Sequence, residues 1–181
     1  MRLRGALGIA AMLAAFASHS AAPREKVDVD AGKQALAARA LAFPVKGHEA
    51  ALRDNFDERR GNVPHEALDI MAPRGTPVVA VDDGTVAKLF TSKPGGLTIY
   101  QYDPTEKLAY YYAHLDRYAP GIKQGDKVKR GQVIGYVGST GNARADAPHL
   151  HFTVYALPPG KQWWRGVAIN AFEKLATPLA P

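Results

Sequence analysis

Cysteine is absent from all 181 residues of the sequence. This absence excludes a disulfide framework, a zinc site built from thiolates and an anchor attached through a lipid-modified cysteine. Any metal ion must therefore be held by histidine, aspartate or glutamate side chains. A chain of this length can form one domain with a substantial core, together with extensions at its ends.

Long apolar runs are scarce, and the clearest apolar stretch lies at the N-terminus. There, Arg2 and Arg4 precede about a dozen mostly small apolar residues, which is the composition of an export signal. We interpret residues 1–22 as a signal peptide, cleaved near Ser20, or as an uncleaved anchor. No later segment approaches the roughly 18 apolar residues that span a bilayer. We therefore expect an exported protein of the periplasm or cell envelope, with no membrane span in its mature form.

Dense clusters of one charge are also missing. The formal net charge is +6, and no Lys/Arg cluster or base-stacking motif indicates a nucleic-acid partner. The mild positive charge suits contact with an anionic cell wall or membrane surface, and ordinary solubility explains it equally well. We expect a monomer that does not bind nucleic acid.

Along the chain, the pattern changes from helical to β. Residues 23–55 contain an alanine-rich segment, 31–42, whose leucines repeat on one helical face, followed by a polar lead-in loop. Residues 56–160 consist of short β-rich runs separated by Gly, Pro, Asp and Asn. This spacing predicts an all-β domain, a compact antiparallel sandwich or barrel. Residues 161–181 form a C-terminal extension that we expect to pack on the domain.

The stretch VPHEALDIMAP, residues 63–73, carries His65, Glu66 and Asp69. A zincin helix needs two histidines one turn apart, and here the second histidine is missing and prolines flank the segment. An extended chain directs His65 and Asp69 to one face, but their Cα atoms would lie roughly 13 Å apart, too far to share an ion comfortably. We therefore predict a turn or bulge near Ala67.

The segment APHLHF supplies two more histidines with a common direction. His149 and His151 alternate with core-facing residues, so both rings project to one face of a strand. Together with His65 and Asp69 they can form a site of two imidazoles and one carboxylate, which suits zinc. The spacing leaves open which of His149 and His151 is the ligand.

Aromatic residues accompany a fourth histidine in YYYAHLD. Alternation along a strand places His114 on the same face as Tyr110 and Tyr112. We expect His114 to reach the same cleft, where it can accept a proton or stabilise charge, and Tyr112 to be a candidate substrate contact. Farther along, Trp163 and Trp164 either line an extended substrate site or cover the core.

Together these motifs resemble the lysostaphin-like, or LytM-type, zinc metallopeptidases. The resemblance covers residues 56–155 and is carried by the ordered segments HEALDI, APRGTPVVAVDDGTV, YYYAHLD, GDKVKRGQVIGYVGSTG and PHLHF. It implies an antiparallel β fold with a groove and one zinc ion. It also implies hydrolysis of peptide bonds in the stems or cross-links of bacterial peptidoglycan.

Carried over position by position, the resemblance implies roles for five side chains. His65, Asp69 and His151 would bind zinc, and His114 and His149 would be catalytic, with no division of roles between these two. The main alternative is a non-catalytic module of the same fold that binds the wall or activates another hydrolase, although such a module would be expected to lack ligands. Biotinyl and lipoyl carriers share the hairpin pattern, but they need an exposed lysine in a tip motif that this sequence lacks.

Overall fold

The computed structural model describes residues 26–177, so the predicted export signal at residues 1–22 lies outside the described part of the chain. Within residues 26–177, no helix is long and apolar enough to cross a membrane. The helices are α1 (Val29–Ala37) and α2 (Phe172–Ala176), and short 3-10 turns occupy Glu49–Ala51 and Trp163–Arg165. The strands of this part of the chain are β1 (Arg59–Arg60), β2 (Val63–Pro64), β3 (Leu68–Met71), β4 (Pro77–Val79), β5 (Gly84–Ser92), β6 (Gly96–Tyr102), β7 (Leu108–Tyr118), β8 (Lys127–Val128), β9 (Val133–Val137), β10 (His149–Ala156) and β11 (Val167–Ile169).

Strand β10 occupies a central position in the main sheet. It pairs with β7 along one side and with β3 and β11 along the other. From β7 the sheet continues through β6 and β5 to β8, while β9 pairs with both β7 and β4. These pairings are antiparallel, and the predicted all-β class with a short preceding helix is confirmed.

The hydrophobic core lies against one face of β10. Leu150 and Phe152 point inward and are fully buried, and Ile70 of the neighbouring β3 is buried with them. His149 and His151 alternate with these residues and project from the opposite face, where they remain partly exposed. Because one face of β10 is buried in the core, the polar side chains of the strand lie on its other face.

Helix α1 has different bounds from those predicted. It begins at Val29, where the Asp28 side chain caps the first turn, and it ends at Ala37 rather than at Ala42. The Ala42 amide instead donates to the Val81 carbonyl at 2.7 Å. This tertiary contact requires the chain to leave the helix earlier than alanine-rich propensity alone indicates.

The polar stretch between the predicted lead-in loop and His65 contains a short hairpin. Strands β1 and β2 pair through Arg59 with Pro64 and Arg60 with Val63, around a turn at residues 61–62. The turn sequence is Gly-Asn, one of the two-residue signals for a hairpin, and its glycine has a φ of 67°. The hairpin places Arg60 beside the polar face of the sheet.

A buried polar network surrounds Asp82. The Arg39 guanidinium donates to both carboxylate oxygens, at 2.7 and 3.1 Å, and the Tyr110 hydroxyl donates to one of them at 2.9 Å. Gln101 donates to the Asp82 carbonyl and accepts from the Tyr112 hydroxyl, both at 2.8 Å. Burial raises the pKa of Tyr110, so its hydroxyl stays protonated as a donor. The network thus attaches the chain after α1 to the core.

Candidate metal centre

Asp69 and His151 meet because their strands are in register. They are direct partners in the β3–β10 pair and lie on the face opposite the core. His65 precedes β3 and reaches the same point through a bend at Ala67, next to Glu66, which has a φ of 54°. The predicted turn near Ala67 is therefore confirmed. The left-handed backbone conformation of Glu66 shortens the Cα–Cα distance between His65 and Asp69, which a fully extended chain would make too long.

Three donor atoms converge at this point. Asp69 Oδ1 lies 3.1 Å from both His65 Nε2 and His151 Nδ1, and the two nitrogens are 3.3 Å apart. A tetrahedral zinc ion with bonds of about 2.0–2.1 Å separates its ligand atoms by about 3.3 Å. Two imidazoles and a carboxylate are also a ligand set that zinc accepts without thiolates. The residues present therefore fit the ion that the resemblance implies, with one tetrahedral position left for a solvent or substrate atom.

Neighbouring groups orient these candidate ligands. The Asn55 carbonyl lies 2.9 Å from His65 Nδ1, so we assign the proton to that nitrogen and the lone pair of Nε2 to the cluster. Arg60 donates to Asp69 Oδ2 at 2.6 Å, which leaves Oδ1 for the cluster. In the metal-free protein, burial opposes ionisation of Asp69, but the contacts of its carboxylate with the His151 and His65 rings outweigh it whenever those rings carry the facing proton, and they hold the pKa of Asp69 well below its usual range.

The pKa values of the two candidate ligand histidines shift in opposite directions in this cluster. Burial alone would lower the pKa of His65, but its hydrogen bonds to Asp69 and Asn55 raise it overall. For His151, burial prevails and lowers the pKa. A ligand nitrogen must be unprotonated to bind a metal ion, so the low pKa of His151 favours binding near neutral pH.

His114 reaches the cleft through a bulge in β7. The register with β6 shifts so that Thr98 lies opposite both Ala113 and His114, and His114 has a φ of 58°. Its amide donates to the Gly95 carbonyl at 2.8 Å, and its Nδ1 lies 2.8 Å from the Thr140 carbonyl. These bonds hold a backbone conformation that costs a non-glycine residue about 1 kcal/mol or more. Burial lowers the pKa of His114 to about 4, so the ring is neutral near pH 7.

His149 lies beside the cluster but outside ligand distance. Its Nδ1 is 2.9 Å from the Ala147 carbonyl, and its Nε2 is 3.7 Å from Asp69 Oδ1. The His149 and His114 rings are neighbours, with centroids 4.9 Å apart. On this geometry His151, rather than His149, is the candidate ligand. The catalytic roles of His114 and His149 stay predictions.

Tyr112 does not lie in the cleft, and its prediction as a substrate contact is wrong. The residue is fully buried, and its hydroxyl donates to Gln101 and accepts from the Val81 amide. Simple alternation put Tyr112 and His114 on one face, but the bulge at His114 moves the histidine to the other face. Tyr111 is consequently the tyrosine of this strand that lines the cleft.

The cluster opens into a cleft of about 570 Å³. Its walls come from the β1–β2 hairpin, the Pro94-Gly95 turn and the loop at residues 138–148. Sequence reasoning missed Arg60 and Arg144 in these walls. The Gly-Asn turn was a signal for the hairpin that carries Arg60, whereas no local pattern identified Arg144.

Comparison with known proteins agrees with this arrangement. A family model described as peptidase family M23 matches residues 63–170. The glycyl-glycine endopeptidase ALE-1 of Staphylococcus capitis is 35% identical over 115 residues, which cover 58% of this chain and 31% of that protein. The peptidoglycan DD-endopeptidase ShyA of Vibrio cholerae is 34% identical over 130 residues, which cover 67% of this chain and 27% of that protein.

Solved structures show the same fold. The catalytic domain of the antimicrobial peptidase lysostaphin from Staphylococcus simulans matches with a TM-score of 0.59 and 28% identity, over 70% of this chain and 92% of that chain. This chain spans less than a third of the length of the two relatives named above. The family match nevertheless covers more than half of the chain and includes the whole histidine and aspartate cluster. The chain belongs to peptidase family M23.

Proposed function

We propose that this protein is an exported, zinc-dependent endopeptidase that hydrolyses peptide bonds in bacterial peptidoglycan. The observation that carries the proposal is the convergence of His65 Nε2, Asp69 Oδ1 and His151 Nδ1, 3.1–3.3 Å apart, at an open cleft. Two further imidazoles, those of His114 and His149, lie beside this cluster. Membership of a peptidase family supports the same class of reaction.

The ion would be held by His65, Asp69 and His151. A zinc ion bound there supplies Lewis acidity, which polarises a scissile carbonyl and makes a nearby water more acidic. Asn55 and Arg60 hold the ring of His65 and the carboxylate of Asp69 in the required orientation. The ligand set is therefore preorganised by contacts outside it.

His114 and His149 are suited to move protons. In both rings, Nδ1 bonds to a backbone carbonyl, of Thr140 and Ala147 respectively, so Nε2 is available to the cleft. A neutral ring accepts the proton that water releases as it adds to the scissile carbonyl, and the protonated ring passes a proton to the departing amine. While protonated, the ring also stabilises negative charge on the carbonyl oxygen. The pKa of His114, about 4, favours the accepting form near pH 7.

The proposed substrate is a peptide stem or cross-link of peptidoglycan. ALE-1 is named for glycyl-glycine bonds and ShyA for DD bonds in peptidoglycan, so family membership does not identify the bond. A place in the periplasm or cell envelope follows from this substrate and from the export signal in the sequence of residues 1–22.

The deciding experiment incubates the purified protein with cross-linked peptidoglycan from several bacteria, with and without a chelator. Soluble peptides and new amino groups are measured. Release that the chelator abolishes and zinc restores would support the proposal, and fragment masses would identify the bond. No release from any wall preparation by folded, zinc-loaded protein would contradict it, and failure to bind zinc would favour the non-catalytic wall-binding module.

Substitution of the two non-ligand histidines separates their role from metal binding. His149→Ala and His114→Asn should each lower the hydrolysis rate about 10²–10⁴-fold while zinc stays bound. Asparagine is chosen at His114 because it tolerates a positive φ. His48→Ala, which changes a histidine outside the cleft lining, is the matched control and should leave the rate unchanged. Full activity in both cleft variants would contradict the assignment.

A further inference from the structure

Aromatic side chains form a continuous row that begins at the candidate metal centre. The Tyr111 ring lies 6.1 Å from the His151 ring and 4.5 Å from the Tyr100 ring. Tyr100 lies 4.5 Å from Trp163, and Trp163 lies 5.3 Å from Trp164. The row therefore leads from the cleft across the sheet to the protein surface.

The outer end of this row is firmly held and exposed. Beyond the 3-10 turn, Gly166 lies so close to Tyr155 that an added Cβ would be 2.5 Å from the Tyr155 Cβ. Before the turn, the Tyr102 hydroxyl donates to the Lys161 carbonyl. Trp164, between these two attachments, is 63% exposed. A large ring on a fixed turn can bind a partner with little loss of conformational entropy.

We propose that this row binds the glycan strand to which the substrate peptide is attached, with Trp164 as the stacking contact. The inference rests on the proposed function, because a peptidoglycan hydrolase meets its peptides linked to sugar. A pyranose ring has C–H groups on its faces and hydroxyls at its rim, so it can stack on an indole while polar neighbours bind its rim. Gln162 and Arg165, which bond to each other at 2.9 Å, flank the exposed indole in the chain and supply such groups.

Continuity with the cleft distinguishes this surface from an isolated apolar patch. Tyr111 and Tyr155 line the cleft and also contact Tyr100, the next ring of the row. A peptide of three to five residues spans about 10–18 Å when extended. Successive ring centroids in the row lie 4.5–6.1 Å apart, so such a peptide is comparable in length to the row between His151 and Trp164.

A binding experiment tests the surface without relying on hydrolysis. The chain contains two tryptophans, so ¹⁵N labelling gives two indole N–H signals that Trp164→Phe assigns. We expect the tetrasaccharide of β-1,4-linked N-acetylglucosamine to shift the Trp164 signal, and a stem peptide without sugar to leave it in place. An unchanged Trp164 signal at millimolar tetrasaccharide would overturn the proposal, even for an active peptidase.

Kinetics with paired substrates provide the second test. Trp164→Ala should raise KM about tenfold for a peptide still linked to its glycan, with little change in kcat, and leave hydrolysis of the same sugar-free peptide unchanged. Val133→Ala, which shortens a 37% exposed side chain on β9, is the matched control. Equal effects on both substrates, or none on either, would overturn the proposal. If the wild-type protein hydrolyses neither substrate, the proposed function fails and the titration alone decides the binding surface.

Discussion

Two arginine–aspartate pairs in this molecule have similar geometry and different consequences. Arg39 Nε lies 2.7 Å from Asp82 Oδ2, and Arg60 Nη2 lies 2.6 Å from Asp69 Oδ2. The two carboxylate side chains are similarly buried, at 6% and 10% exposure. Both arginines also precede the main sheet in the chain. The ion pair by itself therefore does not distinguish a structural aspartate from a candidate metal ligand.

The remaining neighbours of each carboxylate make the difference. Asp82 also accepts from the Tyr110 hydroxyl and from a backbone amide, at 2.9 and 2.8 Å, so donors surround it. Asp69 Oδ1 instead faces ring nitrogens of His65 and His151. The donors around Asp82 complete a hydrogen-bond network. Around Asp69, by contrast, lone pairs of several acceptor atoms can converge, and such a group of atoms is stabilised by a cation. The comparison teaches that the partner set decides whether a buried carboxylate supports the fold or binds metal.

Replacing each carboxylate by its amide should produce the largest effect. Asp69→Asn removes the anionic ligand, so zinc affinity should fall on the order of 10³-fold and hydrolysis should be lost with it, while the fold remains. Asp82→Asn should keep zinc and activity but lower the free energy of unfolding. Zinc content after dialysis, hydrolysis rate and urea denaturation measure these outcomes. Wild-type zinc content in Asp69→Asn would exclude this residue as a ligand.

Removing the arginine of the buried pair should mainly affect stability. Arg39→Ala leaves the Asp82 carboxylate buried without its cation, and we expect the free energy of unfolding to fall by about 3 kcal/mol. Zinc affinity should not change. Urea denaturation of the zinc-loaded protein measures the loss, with the exposed Lys33→Ala on α1 as control. Equal stability of the two variants would show that the network contributes little.

Acidification should destabilise the zinc-free protein through His114. Its pKa is about 4 when folded and 6.5 in the reference state, so between these values the unfolded chain binds more protons. The contribution of His114 to the free energy of unfolding should therefore be lost as pH drops from about 6.5 to 4, by up to about 3 kcal/mol. Below that range Asp69, whose pKa is also lowered by folding, continues the decline. His151, whose pKa burial also lowers, contributes with the same sign, whereas the opposite contribution of His65, whose pKa folding raises, falls above pH 6.5. Urea denaturation across this range should show that the free energy of unfolding depends less on pH in His114→Asn than in the wild-type protein. The same pH dependence in both proteins would contradict the prediction.

Removing the arginine beside the metal centre should have the smallest effect. Arg60 is half-exposed, so Arg60→Ala should hardly change stability. Because Arg60 keeps one oxygen of Asp69 directed away from the cluster, its loss should weaken zinc binding about tenfold. Competition with a chelator measures this affinity. Arg59→Ala, in the same hairpin but bonded to the Asn62 carbonyl, is the control, and equal affinities would show that Arg60 does not position Asp69.

Much of the fold and part of the site could be predicted where local periodicity persists. Alternation along β10 placed His149 and His151 on one face, and the long Cα separation of an extended segment required the bend at Ala67. Alternation failed on β7 because a bulge changes the face of every later residue, so His114 reaches the cleft face while Tyr112, before the bulge, lies in the core. The hairpin that carries Arg60 was missed because two-residue strands have too little pattern to stand out from a loop.

By itself, the sequence determined the chemistry available to this protein. With no cysteine, a metal site had to use histidine and carboxylate, and the HLH spacing put two rings on a common face. Only the tertiary structure decided that His151 and not His149 lies at ligand distance from Asp69. That choice depends on the register of β3 against β10, since a ligand site needs atoms to converge within a few tenths of an ångström. Such convergence comes from contacts between distant segments, which local spacing does not determine.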